Sequence, residues 1–323
     1  MKKLYTILAL TITFSMNSQM TDNSSGTSAG GDYSVAMGSD TTASGFASTA
    51  MGYSTTSSGE ASTAMGWNTI ASGDASTAMG YYSFASGNNS TSMGWNTTAS
   101  GLNSTAIGDY TFASGENSTA MGYNTFANGS NSTAIGYQTT ASGLNSTAMG
   151  YQTTASDYDS LVIGQYNLSG SSITNSDTSF STENTAFVIG NGTNSSNRSD
   201  AFKVMFNGDA TLAGNLSVNS DARLKANIIS LGSTITKLLQ IDGKSYTMKN
   251  DENKKQKIGL LAQDIEKVFP ELVSESNGIK SVNYQGLVPV LINALKEQQS
   301  EIVRLKEQEK RIERLEKLIA NIN

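Results

Sequence analysis

A 14-residue repeat fills the first half of this chain and limits its fold more than any other feature. The triplet Ala-Met-Gly, or a close variant, occurs ten times at a constant spacing of 14 residues. The triplets begin at residues 36, 50, 64, 78, 92, 106, 120, 134, 148 and 162, and eight further glycines lie midway, at Gly45, Gly59, Gly73, Gly87, Gly101, Gly115, Gly129 and Gly143. Repetition at a fixed short period is typical of solenoids, in which each unit packs on its neighbours.

The 7-residue step between glycines does not indicate a coiled coil. A glycine in every heptad costs about 1 kcal/mol relative to alanine, and the seam would consist of Ser, Thr and Ala. A short strand followed by a glycine turn fits better, so two steps form one flattened coil of a parallel β-solenoid. Alternation places Ser48, Ala50 and Gly52 on one face. We expect this small set inside the coil and the Met/Ile set against neighbouring chains, because so thin a coil encloses little core.

The repeat resembles the YadA-like head of trimeric adhesins. The matching motifs are Asn-Ser-Thr-Ala-Ile-Gly at residues 103–108 and 131–136, and Asn-Ser-Thr-Ala-Met-Gly at 117–122 and 145–150. The resemblance implies a left-handed parallel β-roll and a homotrimer. The chain does not end in the four-strand membrane anchor of such adhesins, which leaves its surface attachment open.

The repeat fits two other classes of solenoid less well. Calcium-binding repeats need an aspartate in every coil, whereas Asp32, Asp40, Asp74 and Asp109 are scattered. Ice-binding solenoids expose rows of threonine, and threonine recurs here, but threonine also simply suits strands.

Charge and composition divide the chain near residue 220. Residues 1–219 carry 4 Lys/Arg and 13 Asp/Glu, a net charge of −9, and residues 220–323 carry 17 and 14, a net charge of +3. The acidic first part argues against nucleic-acid binding. The chain has no Cys and no His, so it has no disulfide, no thiolate metal site and no histidine base. We expect no cofactor and no metal.

The N-terminus reads as an export signal. Lys2 and Lys3 precede a short apolar run over residues 4–16, which is too short to span a membrane comfortably. We therefore predict a signal peptide over residues 1–19, a secreted or surface protein, and no transmembrane segment in the mature chain. Residues 20–165 form the β-roll. Residues 166–219 form a β-neck, with a strand from residue 201, a turn at Asn207 and Gly208, and a return strand over 210–218.

The stretch from Ser220 to Ile228, Ser-Asp-Ala-Arg-Leu-Lys-Ala-Asn-Ile, resembles the start of the endosialidase-type intramolecular chaperone, the self-cleaving peptidase domain of phage tailspikes. The match continues through Ile-Gly-Leu-Leu-Ala-Gln-Asp-Ile-Glu at 258–266, Val-Phe-Pro-Glu-Leu-Val at 268–273, and Val-Asn-Tyr at 282–284. It implies a trimeric domain that directs folding of the preceding fibre and then cuts itself off. By this resemblance Ser220 is the nucleophile, Lys225 the general base, and the Asn219–Ser220 bond the cleavage site.

The residue types support that chemistry independently. A serine hydroxyl needs a base, and without histidine a lysine is the nitrogen base within reach. Lys225 must lose its proton, through desolvation at a trimer interface or through a nearby cation, which Arg223 could supply. The alternative is that Ser220 only caps a helix whose first turn is charged and solvated.

The C-terminal part is predicted to hold helices at residues 228–239 and 260–268 and a long helix from residue 288 to the end. In that last helix Leu291, Leu295, Gln298, Ile302, Leu305, Glu309 and Ile312 form an a/d seam, continued by Leu315, Ile319 and Ile322 after one slip. The seam predicts a trimeric coiled coil over residues 291–323, after a chaperone domain over 220–290; the alternative is a lone amphipathic helix.

The sequence thus predicts a mainly β protein: a trimeric β-roll solenoid followed by a small α+β chaperone domain and a coiled-coil helix. Its function would be that of a secreted or surface fibre or adhesin, with an unknown host or matrix receptor, that is an enzyme only toward itself. The alternative is a phage or prophage tail fibre of the same design. A glycan-cleaving solenoid would need paired carboxylates, and Glu60 and Glu116 show no such pairing.

Overall fold

The computed structural model describes residues 20–21, 25–168, 176–249 and 251–321 of the 323-residue chain. The predicted signal peptide and Ile322 of the predicted seam lie outside the described residues. The chain divides into two compact units, Met1–Leu216 and Ser217–Asn323. Within the described residues, no helix is both long enough and apolar enough to cross a membrane.

The first unit is a β-solenoid of about ten coils, as the repeat predicts. Each coil contributes one long and one short strand, and each strand pairs in parallel with the equivalent strand 14 residues later, for example Thr119↔Thr133. The long strands are Val35–Ser39, Thr49–Tyr53, Thr63–Trp67, Thr77–Tyr81, Thr91–Trp95, Thr105–Asp109, Thr119–Tyr123, Thr133–Tyr137, Thr147–Tyr151 and Leu161–Gln165, and Met20–Thr21 pairs with the first of them. The short strands are Ser28–Ala29, Thr42–Ala43, Thr56–Ser57, Ile70–Ala71, Phe84–Ala85, Thr98–Ala99, Phe112–Ala113, Phe126–Ala127, Thr140–Ala141 and Thr154–Ala155.

The interior of the solenoid is built from small side chains. In one coil Ser48, Ala50, Thr55 and Ser57 are fully buried. The equivalent positions of the other coils hold Ala, Ser or Thr, except that the last coil has Val162 and Asn167. Most coils have alanine at the position of Ser57. The buried hydroxyl of Ser57 is satisfied by a hydrogen bond to the Ser62 hydroxyl, with the two Oγ atoms 2.6 Å apart. The thin interior that the sequence predicts is therefore confirmed for Ser48 and Ala50.

Gly52 was expected inside the coil, and that expectation is wrong. The residue is exposed and has a φ of +126°. The strand continues to Tyr53, but the positive φ at Gly52 interrupts the regular alternation of its side chains. A Cβ at Gly52 would lie 2.0 Å from the carbonyl oxygen of Gly66 in the next coil. The glycine is thus required for the close approach of stacked coils.

The turns between strands share one left-handed backbone conformation every seven residues. The residues that adopt it include Asn89, Asn103, Asn117, Asn131 and Asn145, with φ between 54° and 58°. Asparagine tolerates this region better than most residues. The Asn117 side-chain amide donates to Asn131 Oδ1 at 3.0 Å, and the same link joins each of these asparagines to the next, ending on Asp159. The turns thereby carry an exposed hydrogen-bonded row along the solenoid.

Three more strands extend the large sheet beyond the repeat. Thr185–Asn191 stacks in parallel on the last coil, with Ile163↔Ile189 and Gly164↔Gly190 in register. Asp200–Met205 and Ala210–Leu212 then pair antiparallel around a turn in which Gly208 has a φ of +87°. The predicted hairpin is present, but its return strand ends at Leu212 instead of continuing to residue 218.

The second unit is small and mixed. Its helices are Ile235–Leu238, Ala262–Val268 and the terminal helix Leu287–Ala320, and its 3-10 turns are Ala222–Leu224, Pro270–Leu272 and Tyr284–Gly286. Two antiparallel hairpins pair Lys244–Tyr246 with Lys257–Gly259, and Val273–Ser276 with Ile279–Val282. Ile265, Val268, Phe269 and Val290 form its core.

The helix predicted over residues 228–239 is much shorter in the structure, where it comprises Ile235–Leu238 alone. Gly232 adopts a φ of +67°, which ends any helix before it. The helix predicted over 260–268 is present as Ala262–Val268, and Pro270 follows it.

Candidate functional site

The segment that carries the predicted cleavage chemistry lies at the start of the second unit and is exposed throughout. Ala222–Leu224 forms one 3-10 turn, which Asp221 caps by accepting a hydrogen bond from the backbone N–H of Arg223 at 2.9 Å. The backbone N–H of Lys225 donates to the carbonyl of Ala222 at 3.0 Å and closes the turn. Asp221 and not Ser220 is therefore the cap, which leaves the Ser220 hydroxyl available for another partner.

That partner is Lys225. The turn brings the two side chains together, and Lys225 Nζ donates to Ser220 Oγ at 2.7 Å. In this contact Nζ is the donor and Ser220 Oγ the acceptor. If the ammonium loses its proton, the same contact lets the amine accept the hydroxyl proton, which is the arrangement of a nucleophile and its general base.

Arg223 pairs with Asp221. Its guanidinium donates to both carboxylate oxygens, with Nη2 2.6 Å from Oδ2. The Arg223 side chain, followed by its backbone N–H, lowers the pKa of the Asp221 carboxyl, and Asp221 in turn raises the pKa of Arg223. The positive charge of Arg223 is thus shared with a carboxylate, and its suggested role in tuning Lys225 stays a prediction.

The apolar side chains next to Ser220 and Lys225 in the sequence are largely exposed to solvent. Leu224 and Ile228 are 72% and 67% exposed, and Val218, Ile229 and Leu231 are exposed as well. Exposed aliphatic side chains in one continuous segment are typical of interaction surfaces.

The segment that follows, at Ser233 and Thr234, is hydrogen-bonded to the carboxylate of Glu297, which lies far along the chain. Glu297 of the terminal helix accepts hydrogen bonds from the Ser233 hydroxyl at 2.6 Å and from the Thr234 backbone N–H. These bonds, that of the Ser233 side chain first, lower the pKa of Glu297. Thr234 is buried, and its hydroxyl donates to the Val290 carbonyl at 3.0 Å. Sequence reasoning missed this contact, because the partners are 63 and 64 residues apart and no local pattern joins them.

The other motifs of the resemblance build the scaffold of the unit. Ile265, Val268 and Phe269 lie in the core, and the Tyr284 hydroxyl accepts from the backbone N–H of Leu260 at 2.9 Å. Within the parts of the chain that the structure describes, no three His, Cys, Asp or Glu residues converge as a metal site would require.

Comparison with known families supports both resemblances. The family described as "YadA head domain repeat (2 copies)" matches seven windows within residues 29–167, of which the first five overlap. The family described as "Chaperone of endosialidase" matches residues 220–274 and so begins at Ser220. The two matches lie in the order that the sequence predicts, with the repeat family before the chaperone family. The chaperone match includes Ser220, Lys225 and the helix Ala262–Val268.

A protein relative also matches. The chain is 30% identical over 122 residues to the "Long tail fiber protein Gp37" of Salmonella phage S16. The match covers 35% of this chain and 16% of that protein, so this chain spans a small part of its relative's length.

Proposed function

We propose that this chain is the subunit of a trimeric extracellular fibre whose C-terminal unit directs assembly and then releases itself by cutting before Ser220. The contact between Lys225 Nζ and Ser220 Oγ is the observation that carries the proposal. The two family matches support it, since they pair a fibre-forming repeat with a chaperone segment that starts at the same serine.

The proposed reaction uses residues of this segment alone. Neutral Lys225 takes the hydroxyl proton of Ser220, and Oγ attacks the carbonyl carbon of Asn219. The Asn219–Ser220 carbon–nitrogen bond breaks, the amine receives the proton from Lys225, and an ester joins Asn219 to the Ser220 side chain. Water hydrolyses the ester, which leaves a carboxylate on Asn219 and restores the Ser220 hydroxyl at a new N-terminus.

Cleavage should wait for assembly. An exposed lysine titrates near 10.4 and stays charged at neutral pH, whereas burial favours the neutral amine. Subunits that covered Leu224 and Ile228 would also remove water from Lys225. Trimerisation would then convert a hydrogen-bond donor into a base, so that a chain cuts itself only after its fibre has formed.

Mass spectrometry of the purified protein tests the cleavage. We expect a fragment of 104 residues beginning at Ser220. Ser220→Ala and Lys225→Ala should both remain full length and still form trimers, whereas Ser230→Ala, a nearby control, should be cut normally. Efficient cutting of Lys225→Ala would disprove the assignment of the base.

The terminal helix supports the trimer. Its first turns are buried through Leu287, Val290 and Ala294. Beyond them an apolar row is exposed along the helix: Leu295, Ile302, Leu305, Ile312, Leu315 and Ile319. Its a/d spacing fits a coiled coil with further copies of the same helix, which would cover the row. Sedimentation equilibrium of the uncut Ser220→Ala chain should give three times the subunit mass.

The tail-fibre relative favours a second candidate, a phage or prophage fibre in place of a cell-surface adhesin. The N-terminus separates the two candidates. An adhesin exported by a signal peptide should lose residues near position 19 and reach the cell exterior. A phage fibre should keep its N-terminus and copurify with virions.

A further inference from the structure

One face of the solenoid carries a row of exposed aromatic rings, which we call the aromatic column. It is formed by the last residue of successive long strands: Tyr53, Trp67, Tyr81, Trp95, Asp109, Tyr123, Tyr137 and Tyr151. Rings in consecutive coils stack on one another, with centroids 4.9 Å apart for Tyr123 and Tyr137 and 4.7 Å for Tyr137 and Tyr151. Tyr81 and Trp95 are also in contact, with centroids 5.4 Å apart, but their ring planes meet at 64°, so Trp95 is tilted against the ring before it. Asp109 is the one member of the column that is not aromatic.

Asp109 opens a gap in that column. Its strand is in register with both neighbours, Trp95↔Asp109 and Asp109↔Tyr123. The flanking rings are thus two coils apart, roughly 9.6 Å at a strand spacing of about 4.8 Å. Trp95 is 56% exposed, and Tyr110, the turn residue that follows Asp109, is exposed as well. We call this place the Asp109 gap.

The carboxylate in the gap has no cationic partner in the repeat. Its Oδ1 atom is buried and has no hydrogen-bond partner among the described residues. Residues 20–165 contain no Lys or Arg, so the repeat supplies no cation to pair with Asp109. Asp109 as a whole is only half-buried, so its charge can still attract a cation that another molecule brings into the gap.

We propose that the Asp109 gap binds a trimethylammonium group of the choline class. A cation in the gap would lie roughly 4.8 Å from the Tyr123 ring, inside the limit of about 6 Å for a cation–π contact. Tyr123 presents its face along the column, because it stacks on Tyr137 with an interplanar angle of 12°, and the exposed Trp95 ring borders the gap on the other side. A flat guanidinium stacked on both rings would need them closer, at about 7 Å, twice the contact distance of about 3.5 Å between stacked carbons. A hard metal ion would need several oxygen ligands, and the gap offers one carboxylate. Aromatic faces with a carboxylate form the kind of cage that recognises quaternary ammonium groups.

Fluorescence titration of the full chain with choline chloride tests this proposal. The chain has two tryptophans, so Trp67→Phe leaves Trp95 beside the gap as the reporter. We expect saturable binding that weakens at least fivefold in Asp109→Asn and at least tenfold in Asp109→Tyr. The tyrosine variant should keep its fold, because tyrosine holds the same position in five other coils.

Asp74→Asn is the matched control, because it removes an acid from the repeat outside the aromatic column and should bind choline as the parent does. Choline binding that survives unchanged in Asp109→Tyr would overturn the proposal, and so would equal affinity for methylguanidinium. Vesicles of phosphatidylcholine distinguish the source: binding them as well as choline assigns the group to a lipid headgroup. Binding of choline without the vesicles assigns it to a soluble or glycan-linked choline, and either result supports the site.

Discussion

Replacing Gly122 with alanine is the most direct test of how the coils stack. Gly122 pairs with Gly108 and Gly136 in the neighbouring coils and has a φ of +128°. An added Cβ would lie 2.0 Å from the Gly136 carbonyl oxygen, with the carbon and nitrogen of Gly136 at 2.9 Å and 3.1 Å. All three atoms are backbone, so no side chain can turn away and the coils themselves must separate.

The cost has two parts. An alanine in a backbone region that is almost exclusive to glycine costs about 1–3 kcal/mol, and overpacking costs about 1–3 kcal/mol more. The contact would need to open by roughly 1.5 Å to reach the ordinary distance of about 3.5 Å. We therefore take the total loss in the free energy of unfolding from the middle of the combined range, at about 4 kcal/mol. For a unit of this size each 1 kcal/mol shifts Tm by about 2–4 °C, so we expect a fall of roughly 8–16 °C.

Thermal unfolding followed by far-UV circular dichroism measures the effect on the full chain. Gly115→Ala separates the two parts, because its Cβ meets the same kind of obstacle, 2.0 Å from Gly129 O, without a positive φ. Gly115→Ala should therefore lower the free energy of unfolding by about half as much as Gly122→Ala. Gly214→Ala is the neutral control, since nothing lies within 4 Å of its added Cβ. A Gly122→Ala protein that melts with the parent would refute the register of the stacked coils.

Three further predictions follow from the turns and the terminal helix. Asn117→Ala breaks two links of the exposed asparagine row and places alanine at a φ of 54°, so the free energy of unfolding should fall by about 1–2 kcal/mol in urea titrations. Leu305→Lys should dissociate the trimer in sedimentation experiments, while Glu307→Lys, two residues away and off the seam, should leave it intact. Because hydrogen bonds hold the pKa of Glu297 below its unfolded value, its stabilising effect is complete above about pH 4.3 and is lost as the pH falls through the folded value. Glu297→Gln should therefore flatten the acid side of the stability profile, and an unchanged acid limb would contradict the Ser233 contact.

Much of the chemistry at the candidate site is local and was open to prediction. Ser220 and Lys225 are five residues apart, and a single 3-10 turn is enough to bring Lys225 Nζ to Ser220 Oγ. The same turn contains the ion pair between Asp221 and Arg223. Arg223 is the cation that the sequence suggested for lowering the pKa of Lys225, and Asp221 competes with Lys225 for its charge. Catalysis itself stays a prediction, because it depends on a covered lysine.

The sequence by itself determined the solenoid, because an identical 14-residue unit gives every coil the same strands, turns and small interior residues. Tertiary structure decided which columns face outward. Gly52 turned out to serve the approach of adjacent coils, and the aromatic column became visible only when residues 14 apart were stacked in register. The contact of Glu297 with Ser233 also belongs to tertiary structure alone. The physical reason is sequence distance: backbone preferences act within a few residues, whereas a bond across 64 residues exists only after the chain has folded.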